Sequence, residues 1–231
     1  MYAVLLSGGF DSSAALCWAK KQATASGEPI RSIGFRYGQA HADAELTAAG
    51  RLAAAMGIPF VVVQIIGLQP MNATAGVNDR GVSLAFVPGR NGVFLDYAAI
   101  HCYVPGETLR LVVGANYDDC AAFPDCRPTF FERRAASLRE GYAGVCGVEI
   151  LTPWGALSKA QIFNWVRMQP DADEIVGYLQ RSVSCYRGTR CGQCDACALR
   201  ARTFAAAGVA DGGDVVKMHG GDPHRDAMFN K

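Results

Sequence analysis

Apolar and polar positions along this chain fall into two alternating patterns. Short apolar runs rich in β-branched residues, typical of buried strands, alternate with longer stretches whose apolar residues recur at helical spacing. Strands are predicted at residues 2–6, 31–37, 60–66 and 109–113, and helices at 11–21, 42–56, 94–103, 128–140 and 158–168. Strands that alternate with helices indicate the α/β class, with a parallel sheet covered by helices on both faces.

Two segments interrupt this alternation. Residues 67–92 are rich in Gly, Asn and Pro without clear periodicity, and a loop of that length in a compact domain indicates an active-site segment. Residues 181–206 hold a cysteine cluster and a last helix, and the polar tail from Gly208 is expected to be loosely ordered. We therefore divide the chain into an α/β domain at 1–180 and a C-terminal module with its tail at 181–231.

The composition is that of an ordinary globular protein. Of 231 residues, 50% are hydrophobic and 19% are charged, and the formal net charge of +1 gives no overall field that would attract nucleic acid or an anionic membrane. No apolar run approaches the roughly 20 residues that span a bilayer, and no secretion signal precedes the first strand pattern. We expect a cytoplasmic protein without a nucleic-acid or membrane partner.

The first strand leads into the stretch LLSGGFDSS at residues 5–13. Two glycines allow a sharp turn that brings backbone N–H groups against an anion, and the following helix adds the partial positive charge of its N-terminus. Ser7 and Ser12 add hydroxyl donors. The spacing is not that of the Walker loop, because no lysine follows the second glycine. A plain strand-to-helix turn with Asp11 or Ser12 as N-cap is the competing interpretation.

The cysteines point to a metal site. Nine are many for a reducing compartment, and four of them fall within thirteen residues. Cys185, Cys191, Cys194 and Cys197 follow the spacing C-x5-C-x2-C-x2-C, in which each C-x2-C step lets two thiolates reach one tetrahedral ion. We predict a closed, structural Zn²⁺ site with four sulfur ligands, although the spacing alone also fits an iron–sulfur cluster.

The S-G-G-x-D-S sequence after a first strand resembles the pyrophosphate-binding loop of the PP-loop ATPases, the adenine nucleotide α-hydrolases. That resemblance implies a Rossmann-like α/β fold and an enzyme that cleaves ATP, bound with Mg²⁺, between its α and β phosphates. Lys159, in LSKAQIF, resembles a later lysine that approaches the phosphates in this superfamily, although a solvated surface lysine is the alternative. The implied ATP-binding residues are Leu6, Ser7, Gly8, Gly9, Phe10, Asp11, Ser12, Ser13 and Lys159, and Asp11, Ser12 and Lys159 are the catalytic candidates among them.

Three internal stretches narrow the resemblance. They are FRYGQAH, VPGRN and FPDCRPTFFE. Together with the loop and the four cysteines, they make the chain similar to the 7-cyano-7-deazaguanine synthase family of the queuosine precursor pathway, and the resemblance extends from Leu6 to about Gly208. The implied reaction converts 7-carboxy-7-deazaguanine, ammonia and ATP to the nitrile through an adenylated carboxylate and an amide. Free ammonia is the expected donor, because no domain for glutamine hydrolysis is visible. A homodimer is implied only by the resemblance.

The resemblance also suggests how the deazaguanine is held. Its N1–H and exocyclic amine can donate hydrogen bonds to the carboxylate of Asp125. Its own carboxylate needs a cation such as Arg90 or Arg127. A surface ion pair near a helix start is the alternative for Asp125 and Arg127. The substrate-binding candidates are Tyr37, Gln39, His41, Arg90, Asn91, Asp125 and Arg127.

For the aromatic and imidazole side chains, a substrate-binding role and a structural role are both open. Tyr37, Tyr117 or Phe123 can stack on the ring, but Tyr37 also fits a core position at a strand end. His41 can move a proton or orient ammonia, and a structural histidine is the alternative. Ser13 and the alanine after it stand where the family often has threonines, a departure that concerns local contacts only.

Three other functions stay open at this point. A relative on the same scaffold can stop at the amide or join a deazaguanine to another molecule in viral DNA modification or defence. A tRNA-thiolating PP-loop enzyme shares the loop but usually needs a basic face, which a net charge of +1 does not suggest. A zinc-stabilised nucleotide-binding module would carry out no catalysis. Product analysis with carboxy-deazaguanine, ammonium and ATP separates these functions.

Overall fold

The computed structural model describes residues 1–68 and 77–212. Within these residues the chain forms five β-strands and eight α-helices, which confirms the α/β class. In chain order they are β1 (Tyr2–Leu5), α1 (Phe10–Ser26), β2 (Ile30–Arg36), α2 (Ala42–Ala55), β3 (Phe60–Gln64), α3 (Arg90–Cys102), β4 (Thr108–Val112), α4 (Tyr117–Ala122), α5 (Pro128–Gly141), β5 (Gly147–Leu151), α6 (Lys159–Arg167), α7 (Ala172–Gln180) and α8 (Asp195–Ala206). No helix in the described part of the chain has both the length and the apolar character needed to cross a membrane.

All five strands lie parallel in one sheet, in the order β3-β2-β1-β4-β5. Alternate side chains of the central strand β1 enter two different cores. Tyr2 and Val4 pack with residues of α1, α2, α6, α7 and α8. Ala3 packs with residues of α3 and α5 on the opposite face. The predicted parallel sheet with helices on both faces is confirmed, and burial on both sides explains the continuous apolar character of β1.

The strand order reverses between β1 and β4, so the crevice outside their carboxyl ends is where a parallel α/β sheet binds its ligands. The loops after these two strands touch. A Cβ placed on Gly114, just after β4, would lie 2.7 Å from the backbone carbon of Asp11 and from the Ser12 nitrogen. Only glycine fits this approach, and the fold thereby brings the segment after β4 against the predicted phosphate loop.

Every predicted strand and helix is present, but two helix ends were wrong. α1 continues to Ser26, where Gly27 ends it in the left-handed conformation (φ +67°). α3 begins at Arg90 rather than at residue 94, so the long loop ends at Gly89. The start of α3 has no side-chain cap of its own, and a carboxylate from a distant segment bonds its first turn, as described below. Residues 69–76 of the predicted loop lie outside the described residues.

Three elements were not predicted. β5 is an edge strand in which Val148 alone is fully buried, so its apolar pattern is weak. α4 has six residues, which is too short for a periodic pattern. In α7 the buried Ile175, Tyr178 and Leu179 do recur at helical spacing, but over nine residues only.

The C-terminal segment packs onto the α/β core. Phe204 of α8 lies 5.9 Å from the ring of Phe10 and 5.1 Å from that of Phe163, between ring centroids. Beyond α8, the expectation of a loose tail was wrong as far as residue 212, because Asp211 binds the buried guanidinium of Arg200 through both carboxylate oxygens. Residues 213–231 of the tail lie outside the described part of the chain.

Candidate active site

The loop between β1 and α1 is organised by its two serines. The Ser7 and Ser12 hydroxyls lie 3.0 Å apart, Ser12 Oγ donates to the Gly9 carbonyl at 3.1 Å, and the Gly9 amide donates to Ser7 Oγ at 3.2 Å. Gly9, and neither Asp11 nor Ser12, is the N-cap, and no side chain in the described residues caps α1. The first turn of α1 lines a cavity, and its free amides have no side-chain cap within the described part of the chain, which is the arrangement an anion needs.

Gly8 holds the loop between two other parts of the fold. It has a φ of +81°, and a Cβ on it would lie 2.3 Å from the Glu45 carbonyl oxygen of α2. Its own carbonyl accepts a 2.9 Å hydrogen bond from the Val183 amide, in the segment that leads to the cysteines. The loop is thus fixed by α2 on one side and by the C-terminal segment on the other.

Gly8→Ala is expected to lower the free energy of unfolding by about 2–5 kcal/mol, from the left-handed φ and the backbone clash together. Chemical denaturation measures the change. Gly27→Ala is the matched control, because Gly27 also has a positive φ (+67°) but a Cβ there meets nothing within 4 Å. It should cost about 1–2 kcal/mol. Equal losses in the two variants would contradict the close approach at Gly8.

Lys159, at the start of α6, reaches the loop at residues 5–13, which the sequence predicts to bind phosphate and which is called the phosphate loop from here on. The predicted capping box is confirmed: Ser158 Oγ accepts from the Gln161 amide, and the Gln161 side chain accepts from the Ser158 amide. The Lys159 ammonium donates to Asp11 Oδ2 at 2.7 Å, and Asp119 Oδ1 lies 3.5 Å away. Burial works to lower the pKa of Lys159, but the two carboxylates outweigh it and raise the pKa above its usual value. The side chain is a charged lysine inside the cavity rather than a solvated surface charge.

Asp119 and its neighbours were missed in the sequence. Burial, with the charge of Asp11 adding to it, raises the pKa of Asp119 to about 6 against the opposing effect of Lys159. Asn116, fully buried, donates to Asp119 Oδ2 at 2.7 Å, and Asp118 Oδ2 accepts from the Lys159 amide at 2.9 Å. The signal that could have identified them as site residues is their position: they follow β4, whose carboxyl end lies where the strand order reverses.

One cavity of about 590 Å³ joins the loop to most of the substrate candidates. Its lining on the nucleotide side includes Ser7, Gly9, Asp11, Ser12 and Lys159. Its lining on the side of the substrate candidates includes Tyr37, Gln39, His41, Arg90, Asn91 and Phe123. The Arg90 guanidinium lies 3.4 Å from the Tyr37 hydroxyl, inside this cavity. Tyr117 is 64% exposed and is not part of the wall. Ser13 instead lines a separate cavity of about 670 Å³ behind Gly8.

Two wall residues, Gln39 and His41, are enclosed by protein. The Gln39 side chain accepts from the Tyr37 amide at 2.9 Å and donates to the Phe35 carbonyl at 3.0 Å, so it closes the end of β2. His41 is buried, and desolvation lowers the pKa of its imidazole, which stays neutral near pH 7. Both side chains are held in place while they face the cavity.

The VPGRN and FPDCRP segments form one interlocked structure. Asp125 Oδ2 accepts from the Asn91 amide at 3.2 Å, which caps α3, and the Asn91 side chain donates to the Asp125 carbonyl at 3.1 Å. Burial raises the pKa of Asp125. Arg127 is exposed and donates to the Cys120 carbonyl at 3.2 Å. Neither Asp125 nor Arg127 lines the cavity; Asp125 lies behind Asn91.

The four predicted cysteine ligands are brought together by the turn before α8. Their sulfur atoms all lie within 4.8 Å of one another, with 4.0 Å between Cys191 and Cys197 and between Cys185 and Cys194. Four ligands at about 2.3 Å from a tetrahedral zinc ion would be about 3.8 Å apart. The cluster therefore fits a metal ion with four thiolate ligands.

The segment between α7 and α8 ties this cluster to the phosphate loop. Arg200, buried on α8, donates to the carbonyls of Leu179 and Gln180 at the end of α7 and to the hydroxyl and carbonyl of Ser182. The next residue, Val183, bonds Gly8, and Cys185 follows two positions later. Only two positions of the chain thus separate Cys185 from the hydrogen bond that holds the loop.

Comparison with known proteins identifies the family of this chain. A family model described as "Queuosine biosynthesis protein QueC" matches residues 2–208. A 7-cyano-7-deazaguanine synthase of Xanthomonas oryzae pv. oryzae (strain PXO99A) is 37% identical over 224 residues, which is 90% of this chain and 94% of that protein. Proteins of the same name from Stenotrophomonas maltophilia (strain K279a) and Pseudomonas paraeruginosa (strain DSM 24068 / PA7) are 35% and 38% identical, over 90% of this chain and 96% and 95% of theirs. The chain belongs to the QueC family of queuosine biosynthesis proteins.

Proposed function

We propose that this chain converts 7-carboxy-7-deazaguanine and ammonia to 7-cyano-7-deazaguanine at the expense of ATP. The observation that carries the proposal is the shared cavity, in which the phosphate loop and Lys159 face Tyr37, Arg90 and Asn91 from two family segments. The name of the relatives agrees with it. The route runs through an adenylated carboxylate, an amide and an adenylated amide.

The chemistry explains why one nucleotide site serves both halves of the reaction. A carboxylate is a poor electrophile, so transfer of AMP to its oxygen supplies a leaving group that ammonia displaces. The amide is activated at oxygen in the same way and loses AMP to leave the C≡N bond. No side chain needs to attack covalently, so catalysis rests on positioning and charge stabilisation.

At the nucleotide end, the amides at the start of α1 and the hydroxyls of Ser7 and Ser12 would hold the pyrophosphate that leaves. Lys159 would compensate its developing charge. Asp11 Oδ1 is buried and has no hydrogen-bond partner among the described residues, and Asp119 lies across Lys159 from it. These carboxylate oxygens fit the preference of Mg²⁺ in an ATP complex.

At the substrate end, Arg90 lines the cavity beside Tyr37 and would meet the carboxylate. Phe123 offers a ring for stacking. Asp125 would act on the substrate through Asn91, whose position it fixes, and Arg127 would support the same segment from outside.

Zn²⁺ is the ion we expect at the four cysteines, where a closed sulfur site would stabilise the fold without taking part in the reaction. Thiolate ligands persist under reducing conditions, as in the cytoplasm. A homodimer is proposed on the family resemblance.

The test is to incubate the pure protein with 7-carboxy-7-deazaguanine, ammonium and ATP, and to follow AMP together with product mass. We expect two AMP for each nitrile, because each of two oxygens leaves with one AMP. Omitting ammonium should abolish both amide and nitrile. Absence of substrate-dependent AMP would contradict the proposal, and accumulation of amide without nitrile would limit it to the first half.

A further inference from the structure

Glu45 and His41 lie side by side in the cavity wall, one helical turn apart at the start of α2. His41 Nε2 is 3.4 Å from Glu45 Oε1, and their side chains are 8% and 20% exposed. Both line the cavity that holds the phosphate loop and Arg90. The Glu45 carbonyl is the atom that Gly8 approaches, so this pair sits directly beside the loop.

The surroundings of the pair leave two proton acceptors in the wall. Desolvation raises the pKa of Glu45 to about 7, opposed by hydrogen bonding to Gln39 and by the charge of Arg90. Burial lowers the pKa of His41, and a hydrogen bond with the Tyr186 backbone opposes that shift. Among the described residues, Tyr37 and Arg90 also interact electrostatically with the pair, and the Tyr186 ring lies 6.4 Å from the His41 ring between centroids. A neutral imidazole has one lone pair, and a carboxylate with a pKa near 7 is a well-matched base.

Helix stability alone does not account for a glutamate that is mostly shielded from solvent here. A carboxylate in the first turn of α2 gains from the helix dipole, but Asp43 supplies one in the same turn while its side chain stays 89% exposed. Burying Glu45 in the cavity wall therefore costs desolvation energy that the helix does not require.

We infer that Glu45 and His41 form the site that receives ammonium and removes its protons before and during attack on the adenylated substrate. The inference rests on the proposed function. Ammonium is a small cation with several N–H donors, and it matches two adjacent acceptors in a wall that opens to the cavity.

The proton balance requires two acceptors. Ammonium transfers one proton to the Glu45 carboxylate, which frees the nitrogen lone pair. That lone pair forms the C–N bond to the activated carbon, and the C–O bond breaks with its electron pair leaving on AMP. The nitrogen then gives its second surplus proton to the imidazole of His41, which yields the neutral amide. Both protons return to solvent, and the same acceptors take the two amide protons when the nitrile forms.

Glu45→Gln keeps the shape and most hydrogen bonds of the side chain but removes the base. We expect kcat/KM for ammonium to fall by about 10²-fold near pH 7, while KM for carboxy-deazaguanine and ATP stays within about twofold. Hydroxylamine, an amine that is mostly unprotonated at this pH, traps the adenylate without a base. Hydroxamate formation by Glu45→Gln should therefore match the wild type.

Asp43→Asn is the matched control, because it removes a carboxylate from the same helical turn outside this cavity. It should leave the ammonium dependence unchanged. If Glu45→Gln does not fold, His41→Gln is measured in the same assay and should show a smaller loss of the same kind. A variant that raises KM for carboxy-deazaguanine but not for ammonium would overturn the inference. Absence of hydroxamate with the wild type would instead contradict the proposed function.

Discussion

Lys159→Ala is expected to lower the rate of carboxylate-dependent AMP formation by about 10²–10³-fold, the cost of removing a charge that stabilises a transition state in a closed site. The ammonium of Lys159 lies 2.7 Å from Asp11 Oδ2 and is only 13% exposed, so no solvent cation replaces it efficiently. ATP–pyrophosphate exchange dependent on carboxy-deazaguanine measures the adenylation step alone.

Removing Lys159 also leaves two neighbouring carboxylates without their counter-charge, so the loss of a mostly buried lysine needs a control elsewhere in the fold. Without Lys159, the carboxylates of Asp11 and Asp119 face each other with less compensation, so the pKa of Asp119 rises further and the fold loses some stability. Lys21→Ala is the matched control, because Lys21 pairs with Asp171 at 2.5 Å outside the cavity. It should keep wild-type exchange. Wild-type exchange by a folded Lys159→Ala would show that the lysine has no role at the phosphates.

Local signals explain what the sequence could predict. The central strand β1 is buried on both faces, so its apolar run was unmistakable, and the loop after it carries its glycines and serines within six residues. Ser158 and Gln161 predicted the start of α6, because a capping box is completed within one turn. The cysteine cluster is equally local: its ligands span thirteen residues.

Contacts between distant segments explain what the sequence could not predict. Asp119, Lys159 and Asp11 meet because β4, which precedes Asp119, lies between β1 and β5, and this strand order is not visible in any one segment. The start of α3 depends on Asp125, 34 positions beyond Asn91, so its own sequence indicated a loop. Glu45 has no local signal in the sequence, because its place in the cavity wall depends on the packing of α2 beside the loop at Gly8.

Removing one cysteine ligand is expected to lower both the stability and the activity of the protein. Cys185→Ser should reduce bound zinc from about one ion per chain to almost none. Because metal-binding energy is folding energy at such sites, we expect a loss of at least about 3 kcal/mol, or a fall in Tm of about 6–12 °C for a chain of this length. Metal analysis and calorimetry measure both.

Activity should fall with the metal, because the cluster and the phosphate loop share a short stretch of backbone. Cys185 lies two residues after Val183, whose amide holds the Gly8 carbonyl at 2.9 Å, so disorder at the cluster releases one side of the loop. Cys146→Ser is the matched control: this thiol lies outside the cluster, beside β5, and its loss should leave zinc content and AMP formation intact. A metal-free wild type with an unchanged Tm would contradict a structural site, and iron with sulfide in place of zinc would contradict the choice of ion. If Cys185→Ser lost zinc yet kept full activity, the connection through Val183 would carry no order to the loop.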